Sequence, residues 1–186
     1  VIGTGVSNIT NILSLLDHLN VKFDITDSNL SFKKYNKIIL PGVGNFGKFV
    51  QNLNDSDLIN PIKEFISEGK FLLGICSGMQ FLFEGSEEAP GISGLGVIKG
   101  KLKKFDKSEV SGKVPLIGKR PIHISKKFKD ENILLKLNNE MFYFLHSYYS
   151  LAEDNVELCY SYYNNFKFSS GVKKNNIYGF QFHPEK

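Results

Sequence analysis

The sequence predicts an α/β fold with a single three-layer domain. A mostly parallel central sheet is expected to carry helices on both faces, and the second half of the chain adds a smaller antiparallel sheet. Apolar runs at 37–40 and 71–75 are typical of buried strands, and segments with apolar residues at helical spacing lie between them. Stretches 156–163 and 166–172 follow each other closely and predict an antiparallel pair. The 186 residues suffice for one domain with a sizeable core.

The first half of the chain alternates strand and helix signals. Residues 1–2 read as the end of a first strand, and 9–19 carry their apolar side chains on one helical face. Residues 21–25 read as the next strand. A second amphipathic helix is predicted over 58–66, where Asp57 is a suitable N-cap.

The second half is rich in strand signals. Residues 84–96 combine Gly, Ser, Pro and Glu and predict a loop. Strands are predicted at 121–125, 141–145 and 177–182.

The composition excludes several classes of protein. An apolar content of 41% fits a soluble globular chain, and no apolar run approaches the length that spans a membrane. The net charge of +4 is mild and the lysines are scattered, so no nucleic-acid partner is expected. Two distant cysteines indicate a reducing compartment, for which we expect the cytoplasm. The two cysteines and four histidines show no ligand spacing, so neither a metal nor an organic cofactor is expected.

The most informative stretch places Cys76 between a buried strand and a helix-like segment. Gly74 and Gly78 flank it at two residues on either side, where the lack of a Cβ allows close approach of neighbouring chains. A sharp turn between strand and helix exposes a nucleophile, and the helix N-terminus favours the thiolate form. The alternative is a small buried hydrophobic residue, as most free cysteines are.

A partner base stands near the other end of the chain. His183 follows the strand-like run 177–182, and Glu185 lies two residues further on, across Pro184. A histidine at the end of a strand can reach a thiol on a neighbouring strand, and the carboxylate can accept from its other nitrogen. Together with Cys76, these residues predict a nucleophile, a base and an orienting carboxylate.

Residues 42–47 spell G-x-G-x-x-G directly after a strand. No strand ending in Asp or Glu follows at the distance at which dinucleotide-binding proteins contact a ribose, so this signal for a nucleotide is weak. A glycine-rich strap can instead present backbone N–H groups to a developing oxyanion.

These motifs carry a family resemblance. Gly-Ile-Cys-Ser-Gly-Met-Gln at 74–80, followed far downstream by Phe-Gln-Phe-His-Pro-Glu at 180–185, resembles a class I glutamine amidotransferase. Within that family, the stretches at 41–46 and 144–148 are similar to those of the glutaminase subunit of imidazole glycerol phosphate synthase. The resemblance runs from the first residues to the last.

The resemblance implies hydrolysis of L-glutamine to L-glutamate and ammonia. Cys76 is then the nucleophile, His183 the acid and base, and Glu185 the group that holds His183. The backbone N–H groups of Val43 and Ser77 form the oxyanion hole. Five further positions are implied to contact the bound glutamine: Gly42, Gly44, Gln80, Ser147 and Tyr148.

The resemblance also implies a heterodimer with a (β/α)8 cyclase of histidine biosynthesis, which receives the ammonia. Asn8, Lys119, Arg120 and Lys186 match partner-facing positions, although Asn8 is equally suited to cap a helix. Leu116, Lys119 and Arg120 depart from the family, which has a basic residue or histidine and Trp-Asn there. A buried aromatic anchor often dominates an interface, so its loss is expected to weaken or redirect docking. Compared with the family, the chain is expected to be truncated at both ends.

Two other functions remain open at this point. One is a paralogous subunit that feeds ammonia to a nucleotide-sugar or surface-polysaccharide amidotransferase. The altered stretch 116–120 is the reason for considering it. The other is a non-catalytic binding or regulatory module on the same fold, against which the intact Cys76, His183 and Glu185 argue.

Overall fold

The computed structural model describes residues 1–3, 9–27, 29–129 and 135–186, with the backbone alone for 29–31. Within these ranges the helices are α1 Thr10–His18, α2 Phe46–Asp55, α3 Ile59–Ser67, α4 Ser77–Gln80 and α5 Lys107–Val110. The strands are β1 Lys37–Gly42, β2 Phe71–Cys76, β3 Gly85–Ser86, β4 Lys101–Lys104, β5 Leu116–Pro121, β6 His123–Ile124, β7 Met141–His146, β8 Tyr148–Tyr149, β9 Glu157–Tyr163, β10 Phe166–Lys174 and β11 Ile177–Phe180. Short 3₁₀ segments cover Asn29–Lys34 and Lys126–Phe128.

The central sheet has six strands in the order β1-β2-β11-β10-β9-β6. Strands β1, β2 and β11 are parallel neighbours, whereas the remaining pairings are antiparallel. Asn175 and Asn176 form the turn between β10 and β11, and Asn175 has a φ of 52°, in the left-handed region that two-residue hairpins use. This hairpin reverses the chain direction, so the sheet is mixed and not mostly parallel as predicted: among the described strands, two of its pairings are parallel and three are antiparallel. The predicted α/β class is confirmed.

The predicted antiparallel pair at 156–163 and 166–172 is found as β9 and β10, but it extends the central sheet and does not form a second one. The reason is the hairpin with β11, which fixes one edge of β10 in the central sheet and leaves its other edge for β9. Two small sheets lie outside it in the described residues, β3-β4-β8 and the antiparallel pair β5-β7.

Helices cover both faces of the parallel part of the sheet, as predicted. Side chains alternate along β1 and β2, so neighbouring residues belong to opposite faces. Ile39 and Ile75 pack with Ile12 of α1 on one face. Leu40 and Leu72 pack on the other face, in the core that includes α2 and α3. The helices predicted over 9–19 and 58–66 are therefore present as α1 and α3.

The strand predicted over 21–25 is wrong. Residues 21–25 form no strand, and a single parallel bridge between Ile2 and Thr26 follows them. Val21 and Ile25 are 47% and 53% exposed, so their side chains lack the burial that favours a strand of apolar residues.

None of the helices in the described part of the chain is long and apolar enough to cross a membrane.

Candidate active site

Cys76 ends β2 and precedes α4, at the turn that the sequence indicates. Its φ of 54° is unusual for a residue with a side chain and marks a strained turn. The flanking glycines allow α4 to lie directly on the strands. A Cβ on Gly78 would lie 1.9 Å from the carbonyl oxygen of Leu40, and one on Gly74 would lie 2.5 Å from the carbonyl oxygen of Gly78.

His183 follows β11, which lies beside β2 in the parallel sheet with Phe180 opposite Ile75. The backbone N–H of His183 donates to the carbonyl of Tyr143 on β7, which fixes the chain after the strand. Its Nδ1 lies 2.8 Å from Oε1 of Glu185, and its side chain also hydrogen-bonds to Cys76. The structure thus brings together the three residues that the sequence predicts as a unit.

The charges of this unit support one another. Burial lowers the pKa of His183, but the hydrogen bonds and charges of Cys76 and Glu185 outweigh it and raise the pKa to about 9. Burial likewise raises the pKa of the Glu185 carboxyl, but the hydrogen bond and charge of His183 outweigh it and hold this pKa below its usual value. The arrangement favours the imidazolium form of His183 and the carboxylate form of Glu185.

A cavity of about 340 Å³ opens beside Cys76 and His183. Most of the residues predicted for the site lie in its wall. The lining residues are Val43, Gly44, Asn45, Cys76, Ser77, Gln80, Glu88, Pro115, Leu145, His146, Ser147, Tyr148 and His183. A small cavity whose largely apolar surface carries a few polar side chains can hold and orient a small polar substrate.

The glycine-rich strap forms one wall of the cavity. Ser77 Oγ donates to the carbonyl of Gly44 at 3.0 Å, which ties the strap to the turn at Cys76. Asn45 caps α2 by accepting from the backbone of Lys48. Gly42, in contrast, is not among the lining residues. It lies beneath the turn, where a Cβ would be 2.7 Å from the nitrogen of Gly78 and 2.8 Å from Cβ of Ser77.

Glu88 is a site residue that the sequence reasoning missed. It lines the cavity, and its Oε2 accepts from the backbone N–H of Phe46 at the start of α2. Burial and the charges of Glu88 and Glu87 raise the pKa of Tyr148, which lines the same cavity. Glu88 stands in a loop of ordinary loop composition, and no local signal in the sequence distinguishes it.

His146 also lines the cavity, at the end of β7. It is buried among aromatic rings, and its Nδ1 lies 2.8 Å from the carbonyl oxygen of Tyr148, to which it donates. Burial lowers the pKa of His146 to about 4, so the ring is neutral at neutral pH. A neutral, fixed ring packs the wall and is no second base.

Gln80 and Gln181 form a buried pair next to Cys76. Gln80 lies in the cavity wall, and its Nε2 donates to Gln181 Oε1 at 3.0 Å. Gln181 is a further site residue that the sequence reasoning missed. Its position two residues before His183, on the same side of an extended chain, is the signal that indicates a role.

Three of the four residues predicted to face a partner lie in the described part of the chain. Lys119 and Lys186 are exposed, and the ammonium of Lys186 lies over the ring of Tyr143. The Arg120 guanidinium lies over the ring of Tyr163 and donates to the carbonyl of Lys119, so its own chain already engages it. Asn8 lies outside the described residues.

Two further features concern reactivity elsewhere. Burial raises the pKa of the Cys159 thiol to about 12, which keeps it protonated and unreactive. Within the described ranges, no group of three or more His, Cys, Asp or Glu side chains is arranged to hold a metal ion.

Comparison with known proteins agrees with the fold and identifies the family. The family model described as "Glutamine amidotransferase class-I" matches residues 1–186. The chain is 41% identical to the "Imidazole glycerol phosphate synthase subunit HisH" of Pyrococcus furiosus, over 100% of this chain and 90% of that protein. It is 38% identical to the protein of the same name from Sulfurimonas denitrificans, over 100% of this chain and 89% of that protein.

Solved structures show the same fold. A crystal structure of a glutamine amidotransferase superposes with a TM-score of 0.76 at 14% identity, covering 99% of this chain and 89% of that one. PurLQS from Thermotoga maritima superposes with a TM-score of 0.69 at 20% identity, covering 99% and 85%. Together with the family match, the full-length relatives establish that this chain belongs to the class I glutamine amidotransferases and, within them, to the family of imidazole glycerol phosphate synthase HisH subunits.

Proposed function

We propose that this protein is a glutaminase subunit that hydrolyses L-glutamine to L-glutamate and ammonia and passes the ammonia to a cyclase partner in histidine biosynthesis. The observation that carries the chemistry is the contact of His183 with both Cys76 and Glu185, at the wall of a cavity of about 340 Å³. The names of the full-length relatives support the pathway.

The first half of the reaction forms a thioester. The Cys76 thiolate attacks the carbon of the substrate carboxamide, and the oxygen becomes an oxyanion. The backbone N–H groups of Val43 and Ser77 stabilise that charge, because both residues lie in the cavity wall beside the thiol. The carbon–nitrogen bond then breaks, and the His183 imidazolium gives its proton to the departing ammonia.

The second half hydrolyses the thioester. The neutral His183 takes a proton from a water molecule, which attacks the same carbon. The carbon–sulfur bond breaks, its electron pair returns to sulfur, and glutamate leaves. Glu185 keeps the His183 ring oriented through both halves and stabilises its charged form.

The cavity offers matched contacts for the amino-acid end of glutamine. Glu88 is the one carboxylate among the described lining residues and suits the substrate ammonium group. Ser147 and Tyr148 stand near it and suit the substrate carboxylate, and Gly44 contributes backbone to the same wall. Gln80 borders the site, but its amide NH₂ group already donates to Tyr148 and Gln181.

A partner is required because ammonia released into water at neutral pH becomes ammonium, which is not a nucleophile. The antiparallel pair β5-β7 borders the cavity and presents exposed apolar and basic side chains. Ile117, Met141 and Leu145 are 57%, 53% and 42% exposed. Lys119 lies on the same pair of strands, and Lys186 packs on Tyr143 of β7. This surface is the docking face that we assign to the cyclase; it uses aliphatic anchors where the family has a tryptophan.

The decisive experiment measures glutamate release from glutamine. The full-length protein is assayed alone and with a cyclase subunit plus its nucleotide ligand, and Cys76→Ala is the control. Stimulation by the cyclase that Cys76→Ala abolishes is the expected result. If a glutamine-analogue electrophile labels Cys76 but the cyclase does not stimulate glutamate release, the result would support the glutaminase chemistry and refute the proposed cyclase partner.

The two alternatives predict different outcomes in the same experiment. A subunit for a sugar-modifying enzyme would bind no cyclase, and the names of the full-length relatives do not favour it. A non-catalytic module would leave Cys76 unlabelled, which the close contact of His183 with the sulfur argues against.

A further inference from the structure

Two buried side-chain amides lead from the cavity wall to the sulfur of Cys76. Gln80 and Gln181 are 5% and 1% exposed. Gln80 Nε2 donates to Gln181 Oε1 at 3.0 Å, and Gln181 Nε2 donates to Cys76 Sγ at 3.7 Å. The sulfur therefore has a second hydrogen-bond partner besides His183.

The direction of these hydrogen bonds is set by a backbone carbonyl. The oxygen of Tyr148 can only accept, and it faces both His146 Nδ1 at 2.8 Å and Gln80 Nε2 at 3.4 Å. Gln80 must therefore turn its NH₂ group towards this carbonyl and towards Gln181. Gln181 must then present its oxygen to Gln80, which leaves its NH₂ group facing the sulfur of Cys76.

The strand geometry explains why Gln181 reaches the sulfur. Along this extended segment, Phe180 and Phe182 stack on one side at 4.8 Å between ring centroids, so Gln181 and His183 point to the other. Phe180 stands opposite Ile75 in the parallel register, which sets the next residue beside Cys76. The backbone N–H of Gln181 donates to the carbonyl oxygen of Ser170 at 2.9 Å and holds the segment in place.

We propose that Gln181 is a further catalytic residue, whose amide N–H stabilises the Cys76 thiolate, and that Gln80 is a positioning residue that fixes the orientation of this amide. A donor facing sulfur favours the thiolate before it attacks. It acts again in the second half-reaction, when the carbon–sulfur bond breaks and the electron pair returns to sulfur. The catalytic meaning rests on the proposed glutaminase function, whereas the state of the thiol can be measured without it.

The experiment measures the rate at which iodoacetamide alkylates Cys76 as a function of pH, in the full-length protein, with mass spectrometry of the Cys76 peptide. Gln181→Met keeps the length of the side chain and removes the donor. We expect the midpoint of the pH profile to move upwards by about one pH unit, because hydrogen bonds to charged groups are among the strong ones in proteins. Gln51→Met, at an exposed position of α2, is the matched control and should leave the midpoint unchanged.

Two isosteric variants separate the donor from the packing. Gln181→Glu replaces the donor by a carboxylate and should move the midpoint further upwards than Gln181→Met. Gln80→Glu does not touch the sulfur, but its carboxylate cannot donate to Gln181, so it should move the midpoint in the same direction. Thermal unfolding of each variant reports whether it is folded.

An unchanged midpoint in folded Gln181→Met and Gln181→Glu would overturn the proposal, even if both variants melt at lower temperature. If Gln181→Met does not fold, an unchanged midpoint in Gln80→Glu has the same meaning. The failure of the proposed function is a different result: the wild-type protein would release no glutamate with the cyclase, whatever the midpoints are.

Discussion

Nδ1 of His183 lies 2.8 Å from Oε1 of Glu185, with Pro184 as the single residue between them. The two side chains are 3% and 5% exposed, so water hardly screens the contact. This local pair is anchored to β7 by the hydrogen bond from His183 to the carbonyl of Tyr143. A carboxylate in this position fixes the imidazole ring and favours its cationic form.

Replacing Glu185 tests that pair. Glu185→Gln keeps the shape and removes the charge, so the His183 imidazolium loses stabilisation and the ring loses its fixed tautomer. We expect the glutaminase kcat with the cyclase present to fall by about 10²- to 10⁴-fold. Steady-state kinetics measure the effect. Glu84→Gln, in the loop after α4, serves as control, and an unchanged kcat in Glu185→Gln would contradict the assignment.

The His183 ring should titrate far above the usual histidine range. Its pKa is raised to about 9, and one cause is the negative charge of Cys76. NMR titration of the ring protons should show this value in the wild type and a lower one in Cys76→Ser, because the serine hydroxyl stays uncharged. Since His183 must carry a proton to give to ammonia, kcat/KM, which reports the free enzyme, should decline as the pH rises through about 9. Identical titrations in the two proteins would rule out the ion pair.

The pKa of His146 should be shifted in the opposite direction, below the usual histidine range. Its pKa is lowered from 6.5 to about 4 by burial, so the unfolded chain binds more protons than the folded one between these values. Stability is therefore lost as the pH falls below 6.5, by about 2 kcal/mol between pH 7.5 and pH 5 from this group. Urea unfolding should show this loss in the wild type and a smaller one in His146→Phe. Equal losses in both proteins would show that His146 does not contribute.

Gly78 should tolerate no side chain. A Cβ there would lie 1.9 Å from the carbonyl oxygen of Leu40, so α4 would have to move away from β1 and take Cys76 with it. We expect Gly78→Ala to lower the free energy of unfolding by about 3 kcal/mol or more. Alkylation should then no longer prefer Cys76 over Cys159, the other free cysteine. Gly3→Ala is the control, because a Cβ there would meet its nearest neighbour, Ile25, at an ordinary 3.4 Å. Equal effects of the two changes would refute the packing argument.

The exposed face of the β5-β7 pair should carry part of the affinity for the cyclase. Ile117 is 57% exposed, and Ile117→Asp places a charge where an apolar contact is proposed. We expect Kd for the cyclase to rise by about tenfold or more, while the alkylation of Cys76 stays as in the wild type. Leu151→Asp is the matched control, since Leu151 is 59% exposed and lies outside these two strands. Binding that Ile117→Asp does not weaken would exclude this face.

Much of the site could be predicted because its key residues follow local rules. Cys76 between two glycines predicts the turn, and the spacing of His183 and Glu185 across a proline predicts their contact. Gly42 illustrates the limit, since a glycine-rich motif does not tell which glycine lines a cavity and which only permits close packing. Glu88 shows the same limit, because its contact with Phe46 joins positions 42 residues apart.

The α/β class, the turn at Cys76 and the family can all be inferred from the sequence, because each depends on local periodicity, on glycine geometry or on a contiguous motif. The place of β9 and β10 in the central sheet is different: it depends on the folded chain, since the free edge of β10 is defined by the hairpin with β11. The same holds for the hydrogen bond from Gln181 to Cys76, which lies 105 positions earlier in the chain. Such contacts depend on strand order and register, which are fixed by the packing of the whole domain and by no single stretch of the sequence.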